Sequence, residues 1–149
     1  MKRFQVSKIQ KQFWILNGMN PDSGAYNLFS VFKVGKPLDH ENLEEAVRYV
    51  IDRHEPLRTS FDFVDDELFQ VIRTSSETEF SISTFNIDQP FDDEKIHPAV
   101  VVEANKPFDL SNAPLCRVSL FTFANRVSVL TIVFHHIILG IFCHSLILY

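Results

Sequence analysis

The chain has 149 residues, 46% of them hydrophobic, and a formal net charge of −5. This length and apolar content suit one domain with a buried core, or one lobe of a larger domain, and exclude a disordered chain. The acidic balance argues against nucleic acid or an anionic membrane surface as a partner, because proteins that bind those cluster Lys and Arg.

The sequence shows no signal peptide, membrane span or CxxC motif. The N-terminus lacks the apolar stretch of a signal peptide, and no run of about 18 apolar residues predicts a membrane span. Cys116 and Cys143 form no CxxC pair, so we expect a reducing cytoplasm. Residues 141–149 are strongly apolar without a helix-ending signal, which predicts a chain cut inside an element that another segment covers.

The first third of the sequence predicts two helices separated by a strand. Ser7 is a candidate N-cap for a helix that runs to Met19, with Ile9, Phe13 and Leu16 at helical spacing. Residues 26–34 are rich in Phe and Val and predict a strand. Asp39 caps a second helix that runs through His54. We assign five residues to its apolar face: Leu43, Ala46, Val47, Val50 and Ile51.

The rest of the sequence is richer in strands. Residues 57–64 and 68–73 flank an acidic turn at Asp65-Asp66 and predict a β-hairpin, and residues 80–87 predict a further strand. A third helix is predicted over 92–105, where Pro98 is a possible break or kink. Residues 115–124 and 126–138 predict a second hairpin. Its second run is apolar on both faces, which is typical of a central, doubly covered strand. The order of elements predicts an α/β (α+β) two-layer sandwich, with helices packed on a mixed sheet.

Two adjacent histidines, His135 and His136, end the apolar run. Adjacent residues on a strand point to opposite faces, so at most one of them can enter a given cleft. A neutral imidazole has the unperturbed pKa best suited to proton transfer near pH 7, and a strand end holds it rigidly. Two residues that follow the pair are further candidates. His136 and His144 have no third ligand at suitable spacing, so zinc binding is not expected. Cys143 lies near the histidines but is not expected to be a nucleophile.

Several segments, in order and spacing, resemble the condensation domains of nonribosomal peptide synthetases, which share the chloramphenicol-acetyltransferase-like fold. The histidine pair resembles the family signature His-His-x-x-x-Asp-Gly. Residues 7–16, Ser-Lys-Ile-Gln-Lys-Gln-Phe-Trp-Ile-Leu, are similar to the motif Ser-x-Ala-Gln-x-Arg-Leu-Trp-x-Leu. Residues 53–61, Arg-His-Glu-Pro-Leu-Arg-Thr-Ser-Phe, keep every fixed position of Arg-His-Glu-x-Leu-Arg-Thr-x-Phe. Tyr26-Asn27 and the Pro-Phe-Asp-Leu at 107–110, followed by Arg117, also match. The resemblance covers essentially the whole chain, but only the N-terminal lobe of such a domain.

The resemblance implies acyl transfer. An aminoacyl group on a downstream carrier protein attacks the thioester of an upstream acyl or peptidyl carrier, and an amide forms. Both substrates would ride on carrier phosphopantetheine, so we expect no directly bound cofactor. The second signature histidine lies at the cleft between two lobes, which corresponds to His136. It would act as general base, or position the amine and stabilise the tetrahedral intermediate. His135 would face away and be structural.

The sequence departs from the family pattern at the signature aspartate. Counting from the histidines, that aspartate falls on Gly140, and with one residue deleted Gly140 is instead the signature glycine. Either way the carboxylate is absent. By resemblance its partner is Arg58, which would lose a buried countercharge at a cost of about 3–5 kcal/mol if it stays dry. Gly140 also loosens the loop that should hold His136.

Because the resemblance covers only one lobe, we predict that the isolated chain does not form peptide bonds. Two alternative functions also stay open. Other members of the superfamily move an acyl group from a carrier or CoA thioester to an alcohol or amine. A degenerate, non-catalytic module could instead self-associate through its open sheet edge and apolar C-terminus. The expected partners are carrier proteins and a C-terminal lobe.

Overall fold

A computed structural model describes residues 2–139 of the chain. Within this range the elements follow in the order β1 Lys2–Gln5, α1 Lys8–Met19, β2 Asn27–Val34, α2 His40–Arg53, β3 Thr59–Val64, β4 Glu67–Ile72, β5 Ser83–Ile87, α3 Pro98–Asn105, β6 Cys116–Phe123 and β7 Ser128–His135. Short 3-10 turns occupy Glu55–Arg58, Ser75–Glu77 and His136–Ile138. Among these elements no helix is long and apolar enough to cross a membrane.

The strands divide between two sheets. Four of them form a mixed sheet in the order β2-β7-β6-β5, in which only the β5–β6 pair is parallel. The other three form an antiparallel sheet in the order β1-β4-β3. The predicted α/β class with helices on a mixed sheet is confirmed. The first hairpin, however, builds a second sheet with β1, a strand that the sequence analysis did not predict.

The helix starts follow local capping chemistry. The Ser7 hydroxyl accepts a hydrogen bond from the Gln10 amide at 3.1 Å, and the Gln10 side chain accepts one from the Ser7 amide at 2.8 Å. Asp39 accepts from the Asn42 amide at 2.8 Å. Both predicted N-caps are confirmed.

The predicted apolar face of α2 was too wide. Leu43, Val47 and Ile51, which are four residues apart, pack into the core under β6 and β7. Ala46 and Val50 are exposed, because they lie on the solvent side of that stripe.

The predicted helix over 92–105 forms only from Pro98 onward. Proline has no amide hydrogen to donate and fits best in the first turn, so Pro98 starts the helix instead of kinking it. The His97 ring accepts a hydrogen bond from the Ala99 amide at 3.2 Å and caps the new start. The acidic segment before it forms a turn, in which Asp92 accepts from the Glu94 amide at 2.9 Å.

Both predicted hairpins form, with strand ends that differ from the predicted ones by up to three residues. Asp65 and Asp66 have φ of 51° and 65°, the left-handed values that tight hairpin turns need. In the second hairpin β6 pairs with β7, and β2 covers the other edge of β7. The strand that carries the histidines is therefore central, as its two-sided apolar pattern predicted.

Candidate active site at the end of the central strand

His135 is the last residue of β7 and lies inside the core with 2% of its surface exposed. Its Nδ1 accepts a hydrogen bond from the Ile137 amide at 3.2 Å, which requires that nitrogen to be unprotonated. The rings of Phe13, Tyr26 and Phe108 surround it with centroids 6.3–6.5 Å away. Burial lowers the pKa of His135 to about 4, with a smaller contribution from neighbouring His136. The ring is therefore neutral at pH 7.

His136 begins the 3-10 turn that follows β7 and is only half buried. Its amide donates to the Tyr26 carbonyl at 2.9 Å, and its carbonyl accepts from the Leu139 amide at 3.1 Å. The imidazole lies against Phe13 of α1, with ring centroids 4.6 Å apart and planes inclined by 33°. The two histidines thus occupy different environments, one inside the core and one at its margin.

The start of β2 and the residues just before it link the histidine motif to the end of α3. Asn27 pairs with His135 in the sheet register, and its side-chain amide donates to the carbonyls of Ala104 at 3.0 Å and Lys106 at 2.8 Å. A Cβ on Gly24 would meet the Asn105 carbonyl oxygen at 2.2 Å, so this contact excludes any larger residue. These contacts fix the start of β2 against both the end of α3 and the histidine turn.

A buried ionic cluster lies behind Phe108, the aromatic neighbour of His135. The Arg117 guanidinium lies 4.5 Å from the Phe108 ring centroid, and its Nε is 3.3 Å from the carboxylate of Glu103. Glu103 is buried and also pairs with Lys106. Burial lowers the pKa of Arg117, and the Glu103 charge partly opposes that shift. Sequence reasoning missed Glu103, because a glutamate inside a helix pattern gives no sign of burial.

Arg58 lies in the 3-10 turn between α2 and β3. Its guanidinium donates to the carbonyls of Ile51 at 3.1 Å and Asp52 at 3.2 Å near the end of α2, and to the Arg73 carbonyl. A cation with several donors suits the free carbonyls at a helix end. Gly140, where the family pattern has the aspartate, lies outside the described residues, so the loss of a carboxylate partner for Arg58 stays a prediction.

The remaining candidate residues from the sequence are the two cysteines and His144. Cys143 and His144 lie outside the described residues, and residues 2–139 contain no cluster of three groups that could hold a metal ion. Burial raises the pKa of the Cys116 thiol to about 12, so that side chain is no nucleophile at neutral pH. Phe13 and Phe108 are site residues that sequence reasoning did not select. The only sign of Phe13 was an aromatic residue where the resembled motif has leucine.

The fold is that of part of a condensation domain. The crystal structure of the starter condensation domain of rhizomide synthetase matches 92% of this chain with a TM-score of 0.73 at 24% identity. The first condensation domain of the CDA synthetase matches 91% of it with a TM-score of 0.75 at 17% identity. The match covers 33% and 36% of those two chains.

The sequence comparisons identify the family. The family model of the condensation domain matches residues 2–149, and the chain belongs to that family. Tyrocidine synthase 2 of Brevibacillus parabrevis is 37% identical over 135 residues, which are 91% of this chain. Surfactin synthase subunit 2 of Bacillus subtilis (strain 168) is 33% identical over 137 residues, or 92%. The chain spans only 4% of each of those two proteins.

Proposed function

We propose that this chain is the N-terminal lobe of a condensation domain, and that the domain forms amide bonds in nonribosomal peptide synthesis. The donor is an acyl or peptidyl thioester and the acceptor an aminoacyl group, both carried on phosphopantetheine of carrier proteins. One observation carries the proposal: the half-buried imidazole of His136 sits on a fixed turn at the end of the central strand. Family membership and the synthetase relatives support it.

The proposed chemistry uses His136 as a proton acceptor or hydrogen-bond donor. The acceptor amine attacks the thioester carbonyl, a C–N bond forms, and the C–S bond breaks as the tetrahedral intermediate collapses. A neutral imidazole can take the amine proton and pass it to the leaving thiolate, or stabilise the charge that develops. Neutral His135 serves by holding the Ile137 amide, so that the turn keeps its shape.

Arg58 supports this site at a distance in our proposal, by fixing the end of α2 against β3. By the family resemblance, Gly140 belongs to the same support of His136. The free, buried thiol of Cys116 supports a reducing compartment, and the cytoplasm stays our proposal for it.

The surface of α1 supports a second lobe as the missing partner. The helix has no buried residue, and four large apolar side chains on it are exposed: Ile9, Ile15, Leu16 and Met19. Exposed apolar side chains concentrated on one helix are typical of an interaction surface. We propose that a C-terminal lobe covers them and completes the substrate channel, so the isolated chain is inactive.

A chimaera tests the proposal. Residues 2–139 of this chain replace the matching part of the tyrocidine synthase 2 condensation domain, and amide formation between two loaded carriers is followed by mass spectrometry. We expect turnover by the chimaera, a loss of about a hundredfold or more in His136→Ala, and no turnover by the 149-residue chain alone. Turnover by the chain alone, or full activity of the His136 variant, would contradict the proposal.

The chimaera and the 149-residue chain also test two alternative functions. A starter condensation domain variant of rhizomide synthetase has been crystallised with C8-CoA, so transfer from a CoA thioester to an alcohol or amine is assayed in parallel. A non-catalytic, self-associating module would leave the chimaera inactive. Light scattering after size-exclusion chromatography would then find a dimer of the chain instead of a monomer.

A further inference from the structure

The aromatic ring of Phe13 contacts both histidines of the motif in different ways. It meets the His135 ring edge-on, with planes at 84° and centroids 6.5 Å apart. It meets the His136 ring at 33° and 4.6 Å, so that the imidazole faces the π surface of the phenyl ring. One residue of α1 therefore borders both rings of the motif.

The geometry has a consequence for charge. The face of an aromatic ring carries negative potential and attracts a cation placed within about 6 Å of its centroid. The His136 ring centroid, 4.6 Å from that of Phe13, lies within this distance, so a positive charge that develops on the imidazole during the reaction meets this potential. A leucine, which the resembled motif carries at this position, would fill space but offer no such potential.

We propose that Phe13 is a positioning residue for His136: it holds the plane of the imidazole and turns its ring face toward the positive charge that develops there during the reaction. The inference rests on the proposed function, in which His136 takes a proton during the reaction. Among the residues that the structure describes, His135 and Tyr26 are the titratable side chains whose rings border the pair; the ring centroid of Tyr26 is 5.4 Å from that of Phe13. The neutral state of His135 keeps a second positive charge away from the imidazolium.

The test is an NMR measurement of the His136 ring-proton chemical shifts in the 149-residue chain, assigned by the signals lost in His136→Gln. In the unsubstituted chain, we expect the phenyl ring current to shift the His136 ring protons upfield. In Phe13→Leu, we expect that upfield shift to vanish. Phe13→Tyr keeps the ring and should keep the upfield shift.

Trp14→Leu is the matched control. Trp14 is the next residue of α1, but its ring stacks on Phe63 at 5.3 Å, so its removal disturbs the same helix without touching the imidazole. We expect the upfield shift of the His136 ring protons to be unchanged in this variant. An equal loss of the upfield shift in the Trp14 variant, or its persistence in Phe13→Leu, would overturn the inference.

Two further outcomes separate this inference from the proposed function. If Phe13→Leu unfolds, the unsubstituted chain still tests the contact. The absence of an upfield shift of its His136 ring protons would count against the contact between Phe13 and His136. If the upfield shift depends on Phe13 as expected while the chimaera forms no amide, the proposed function fails and the contact stands. If the chimaera works but the His136 ring-proton shifts are insensitive to Phe13, only this inference fails.

Discussion

The His135 ring accepts a hydrogen bond from the amide of Ile137, two residues ahead in the chain, at 3.2 Å. This bond turns the backbone out of β7 and into the 3-10 turn that presents His136. The side chain of the first histidine thus shapes the backbone that carries the second.

His135→Ala should destabilise the chain by about 2–4 kcal/mol, because it opens a cavity in the core and removes the acceptor of a buried amide. Urea denaturation followed by circular dichroism measures the loss. His97 offers a matched control, since its ring also accepts from the amide two residues ahead at 3.2 Å but is half exposed. His97→Ala should cost about 1 kcal/mol or less. Equal losses in the two variants would argue against a special role for the buried ring.

The stability of the chain should fall as the pH drops from about 6.5 to about 4. His135 has a pKa of about 4 in the folded chain, lowered mainly by burial from its ordinary 6.5. Between these values the unfolded chain binds the proton and the folded chain does not, so acid favours unfolding, by on the order of 3 kcal/mol in total. Above the unfolded pKa the contribution is constant.

Urea titrations at several pH values test this, with His135→Asn as the control for titrating carboxylates. The asparagine variant should show a shallower fall over the same window. If the free energy of unfolding fell equally with pH in both chains, groups other than His135 would account for the acid sensitivity.

Gly24→Ala should destabilise the chain by about 1–3 kcal/mol, because the new methyl group meets the Asn105 carbonyl oxygen at 2.2 Å. Gly18→Ala provides the contrast, since a Cβ there has no atom within 4 Å and lies inside α1. That change should stabilise the chain by about 0.5–1 kcal/mol. Thermal denaturation of both variants gives the comparison, and a neutral Gly24→Ala would contradict the close packing of this loop on α3.

Glu103→Gln should destabilise the chain by about 3–5 kcal/mol, since it leaves half-buried Arg117 without its carboxylate. The exposed pair between Lys2 and Glu55, 3.2 Å apart, serves as the reference. Glu55→Gln should change stability by at most about 0.5 kcal/mol. The free energies of unfolding of both variants, measured in urea, decide whether burial makes the difference.

The sequence by itself determined those features that depend on near neighbours in the chain. Ser7 and Asp39 cap their helices through residues three positions ahead, and Asp65-Asp66 makes the hairpin turn without help from the core. The two-sided apolar pattern of β7 identified the central strand. Motif order and spacing identified the family and placed His136 at a strand end.

Only the tertiary structure decided what depends on residues distant in sequence. β1 is short and exposed, so its pairing with β4 leaves no periodic signal. Pro98 was visible, but whether it kinks or starts a helix depends on how α3 packs against β2 and β7. The carbonyl partners of Arg58 and the face of Phe13 toward His136 likewise arise from packing, since side chains far apart in the chain meet only once the sheets and helices are assembled.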